Sequence, residues 1–99
     1  MSKPYQALNI PPAANERGGF EFLRCALVDD ELHLMLRPVF NAPNDWGRAL
    51  AEVARQVARA YAHQGRFSEA EMLTSIESAF ATEMKNPSNV ASSIGPIGG

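Results

Sequence analysis

The spacing of apolar and polar positions changes once along the chain, from two residues to between three and four. Between Phe20 and Phe40 two runs, FEFLRCALV and LHLMLRPVF, flank Asp29, Asp30 and Glu31, and strand-length apolar runs on either side of a short polar break predict a β-hairpin. With a two-residue turn at Asp29 and Asp30, Leu27 faces Leu32, Cys25 faces Leu34 and Leu23 faces Leu36, so one face is wholly apolar. A four-residue loop keeps that division. A three-residue loop would put Arg24 among the leucines, and the pattern excludes it. The opposite face is mixed, with Phe20, Phe22, Arg24, Ala26 and Val28 across from His33, Met35, Arg37 and Val39. Pro38 lacks a ladder donor and marks an edge or the end of pairing.

From Asp45 to Gln64 the period becomes helical. At about 100° per residue, Trp46, Leu50, Val53, Val57, Ala60 and Tyr61 share one side, with Arg48, Glu52, Arg55 and Arg59 opposite. Asp45 is the expected N-cap and Gly65 the expected left-handed stop. The Trp46 side is expected to hold the domain together, with Trp46 anchoring the helix on the hairpin. A flank of Ala51, Ala54, Ala58 and Ala62 offers close approach to another helix or to a second copy. In Ser68-Glu69-Ala70-Glu71 a capping box opens a second helix over 69–84, with Phe67 placed to staple against Met72. That helix carries Met72, Leu73, Ile76, Ala79 and Phe80 at helical spacing, and Pro87 limits its length.

The ends read differently. Residues 1–19 contain Pro4, Pro11, Pro12, Gly18 and Gly19 and are expected to form an extended arm, with room for a third strand beside the hairpin. Residues 86–99 are uncharged and rich in Ser, Asn, Gly and Pro, the composition of a flexible tail. The expected fold class is therefore α+β: a 20–85 domain in two layers, with the antiparallel hairpin over 20–40 covered on its leucine face by the 45–64 and 69–84 helices.

Composition narrows the function classes. Ninety-nine residues suffice for one domain with a modest core. A formal charge of −2 and an acidic pI argue against nucleic acid or anionic lipid as the partner. The lone Cys25 needs no oxidising compartment, and no run approaches the roughly 20 apolar residues that cross a bilayer. A cytoplasmic location is the expectation.

Candidate chemistry is sparse. Arg48, Arg55, Arg59 and Arg66 form a basic stripe, a local charge of +2 over 45–66 against −4 over 67–84. The plain role of the stripe is solvation, with Glu52 pairing to Arg48 and Arg55; the functional role is a surface for an acidic protein partner. Arg24 and Arg37 share the mixed hairpin face with His33, and like charges so placed invite a small anion or carboxylate between them. Their simpler partners are Glu21, Glu31 or a glutamate of the second helix. His33 and His63 lack metal-ligand spacing, and Cys25 stands among apolar residues as packing. Neither catalytic residues, a metal nor a cofactor are expected.

The succession ALNIPPA, then LHLMLRPVF, then DWGRALAEVARQVARAY resembles a family of short uncharacterised alphaproteobacterial proteins, a domain of unknown function, from Ala7 to about Phe80. The resemblance implies a bacterial source and a small α+β fold, and brings no activity or site residues. A solitary hairpin with a mixed outer face is marginal in water, so the chain is expected to act as a homodimeric, non-enzymatic interaction module. The alternative is an anion-binding or carboxylate-binding domain built on Arg24, Arg37 and His33.

Overall fold

The computed structural model describes residues 4–88 and the backbone of residues 92–97. Six elements follow in order: α1 (Pro12–Arg17), β1 (Leu23–Val28), β2 (Glu31–Leu36), α2 (Pro43–His63), α3 (Glu69–Lys85) and β3 (Ser92–Ile97). The fold is α+β, an antiparallel hairpin with two long helices.

The hairpin has the register that buries no charge among the leucines: Leu23 opposes Leu36, Cys25 opposes Leu34 and Leu27 opposes Leu32. Asp29 and Asp30 both take positive φ, 51° and 64°, as a two-residue type I′ turn requires to follow the strand twist. A third strand is present, and it comes from the other end of the chain. β3 runs parallel to β2, giving the order β1-β2-β3. Its register shifts between Leu34 and Leu36, where Gly95 and Pro96 stand, and an edge strand tolerates the missing donor of a proline. The expected tail over 86–99 thus contains a strand at 92–97. The N-terminal arm contributes a short helix instead of a strand. Pro12 occupies its first position, where a helix needs no N–H and the fixed φ is already helical.

α2 begins two residues earlier than its charge pattern suggests. Ala42 is the N-cap, Pro43 the first helical residue, and Asp45 lies within the first turn, so Asp45 does not cap the helix. Proline displaces it because the ring presets φ at that point. The C-terminus closes as a Schellman motif: the Gly65 N–H donates to Ala62 O and the Arg66 N–H to Tyr61 O, with Gly65 at φ 72°. α3 opens with the complete capping box, the Glu71 N–H donating to Ser68 Oγ and the Ser68 N–H donating to the Glu71 carboxylate.

α3 packs against α2, and the side of α2 that loses solvent is the alanine flank. Ala58 is buried and Ala54 and Ala62 are half-buried, while Ala51 stays exposed. The expected core side is split: Trp46 and Tyr61 at its ends are half-buried, while Leu50, Val53 and Val57 between them remain 43%, 51% and 38% exposed, and Ala60 is exposed too. Small side chains let a neighbouring helix approach more closely than branched ones, so the alanines win the contact. Among the described residues Ala58 is the only buried hydrophobic one.

Candidate functional site

The sheet meets the helices through an aromatic cluster at the start of α2. The Trp46 ring lies 5.8 Å from Phe22 and 5.1 Å from Phe40, and Phe22 lies 5.6 Å from Phe40, all three pairs edge to face. Trp46 therefore anchors the helix on the hairpin as expected. The leucine face, however, is not buried by its own helices. Leu27 is 76% exposed, Cys25 is exposed, and Leu23, Leu32, Leu34 and Leu36 are half-buried. Cys25 stands among leucines as expected but is not buried within one chain, and the apolar stripe of α2 does not cover it.

The mixed face of the hairpin gathers the three residues of the anion reading. Met35 opposes Arg24, so His33 and Arg37 are both diagonal to Arg24 on one face. Each nevertheless has a neighbour from its own chain. Arg24 donates through Nε and Nη2 to the two oxygens of Glu21, at 2.9 and 2.8 Å, and through Nη1 to the Tyr5 hydroxyl at 3.1 Å. The Tyr5 hydrogen bond first, then Glu21, raise the guanidinium pKa further. Arg37 lies over the Phe20 ring, 5.1 Å from its centroid. His33 is 3.5 Å from Glu31. The bidentate guanidinium edge that Arg24 could offer a ligand's carboxylate is thus taken by Glu21, one of the partners expected for it. Tyr5 was not legible as its second partner, because nothing in the local pattern shows that the arm crosses this face.

The basic stripe is likewise engaged. Arg48 pairs with Asp45 at 2.7 Å, not with Glu52 as the helical spacing also allowed. Arg55 pairs with Glu52 at 2.7 Å, and the Gln56 amide also donates to Glu52; Gln56 first, then Arg55, lower the Glu52 pKa. Arg59 reaches Glu69 of α3 at 3.9 Å, beside a shallow groove lined by Arg59, Ala62, His63 and Glu69. Arg66 stacks over Tyr61, 5.6 Å from its ring. Among the described residues no group of three His, Cys, Asp or Glu side chains is placed to hold a metal.

What remains unsatisfied is apolar. Leu8 and Ile10 of the arm, Phe20 and Met35 of the mixed hairpin face, and Phe80 and Met84 of α3 are exposed, and so are the Leu50, Val53 and Val57 stripe of α2 and, on the leucine face of the hairpin, Leu27. The sequence matches the family described as a domain of unknown function (DUF5076) over residues 7–88. This chain belongs to that family. The match spans the arm from residue 7, the hairpin and both long helices and stops before β3, so the α2 stripe and the leucine face both lie within the family domain. The chain is also similar to a solved structure from the photosynthetic bacterium Rhodopseudomonas palustrus CGA009, a protein provisionally assigned as a pyruvate dehydrogenase. The two share 33% identity with a TM-score of 0.71, covering 92% of this chain and 94% of that one. No curated protein matches. No described helix is long and apolar enough to cross a membrane.

Proposed function

We propose that this family member is a non-enzymatic interaction module that works in the cytoplasm as a homodimer. One observation carries the reading: within one chain Leu50, Val53 and Val57 of α2 stay 43%, 51% and 38% exposed and Leu27 of the hairpin 76% exposed, apolar surface that the folding of a single copy leaves in water. A second copy is the occupant that every such chain has to hand, and closed twofold pairs are the commonest outcome.

The arginine stripe is the secondary surface, for an acidic protein partner that would compete with Asp45, Glu52 and Glu69. Multi-angle light scattering on the purified full chain should give twice 10.8 kDa at tens of micromolar; a monomer at that concentration removes the reading. The dehydrogenase assignment of the similar structure supplies a second check. Pyruvate-dependent reduction of a nicotinamide by the purified chain would replace the non-enzymatic reading with an enzymatic one.

A further inference from the structure

We infer that the homodimer is a reciprocal embrace, in which the Leu50, Val53 and Val57 stripe of α2 in each copy lies on the leucine face of the hairpin in the other. The inference rests on the dimeric reading above and adds which surfaces meet. A helix with one apolar stripe and a sheet with one apolar face each need a second layer. In this chain both layers exist and neither covers the other. Leu27 is 76% exposed and Val53 51%. One twofold operation that sets the stripe of each copy on the sheet of the other covers both surfaces twice over. A seam between two copies of α2 alone would leave Leu27 and Cys25 in water.

The shapes and charges of the two surfaces agree. At about 100° per residue, the arc of α2 from Ala60 through Val53, Val57 and Leu50 to Ala54 holds no charged side chain. Arg48, Glu52, Arg55 and Arg59 lie on the opposite side. The leucine face is equally uncharged, with Leu23, Cys25 and Leu27 across from Leu36, Leu34 and Leu32. Arg24, His33 and Arg37 all lie on the other face of the hairpin, so the embrace desolvates no charge. Leu50, Val53 and Val57 recur at three- and four-residue spacing over two turns of helix, about 10 Å, which spans the two strands of a hairpin spaced about 4.8 Å apart.

The single natural cysteine tests the arrangement, since Cys25 is exposed in the middle of the leucine face. V53C and V57C each place one thiol on the stripe. Under mild oxidation at least one should give a disulfide-linked dimer on a non-reducing gel, and the link should vanish in the same variant carrying C25S. A link that survives C25S joins two stripes and overturns the helix-on-sheet arrangement while leaving the dimer. Loss of free thiol with no dimer band means that α2 closes on its own sheet, and overturns it too. A second readout uses V57K and L27K on the full chain. Each should raise the dimer dissociation constant at least about 100-fold while keeping the far-UV spectrum, because each would bury an unpaired charge. A wild-type dimer indifferent to both places the interface elsewhere. A wild-type monomer overturns the dimeric reading itself.

Discussion

Trp46 and Phe40 meet edge to face with their ring centres 5.1 Å apart, 86° between planes, and together with Phe22 they form the joint between sheet and helices. Because Trp46 is half-buried, W46A should cost about 2–3 kcal/mol, less than truncation of a fully buried tryptophan. Far-UV circular dichroism through urea unfolding measures it. F40A combined with W46A should fall short of additivity by about 1 kcal/mol, the share of the ring pair beyond burial.

Asp29 and Asp30 pay a steric penalty at positive φ that glycine escapes at the second turn position. D30G should stabilise the chain by about 0.5–1 kcal/mol, part of the relief being lost to the freer unfolded chain. A rise in melting temperature of a few degrees is the expected result.

The capping box of α3 predicts a cost of about 1 kcal/mol for S68A, and it also predicts a pH signature. Hydrogen bonds from Ser68 lower the pKa of Glu71, and those from Ser88 lower that of Glu83. A carboxylate depressed in the folded state contributes fully above its unfolded pKa, and that contribution is lost as pH falls through the lower folded value. Urea midpoints should therefore be flat from neutrality to the ordinary carboxylate range and drop below it, and the drop should be shallower in S68A.

Arg59 and Glu69 are both about half exposed, at 3.9 Å. A double-mutant cycle through R59A and E69A should return a coupling of only about 0.2–0.5 kcal/mol, reduced further by salt. R55E with R59E should leave the dimer mass unchanged, since both lie opposite the apolar arc of α2. A change of mass would move the interface to the stripe.

Local chemistry was legible in the sequence wherever neighbours in the chain decide the outcome. The alternation around Asp29-Asp30 dictated the hairpin register, because any odd-numbered loop would have set Arg24 among leucines. Ser68 and Glu71 announced the start of α3, and Gly65 the end of α2. Glu21 was foreseeable beside Arg24, being close in sequence. The start of α2 was misplaced because two rules competed at one end, and the preset φ of Pro43 outweighed the carboxylate of Asp45.

Only the tertiary structure decided what the apolar faces meet. Hydrophobic spacing says that Leu50, Val53 and Val57 share a side, yet burial is a property of what comes to lie against that side. α3 chose the alanines, whose small side chains admit a closer helix, and left the branched stripe open. The strand at 92–97 was hidden for a similar reason. Its parallel pairing with β2 is made across the whole helical crossover, and the Gly-Pro break in its alternation leaves no periodic signal in the segment itself.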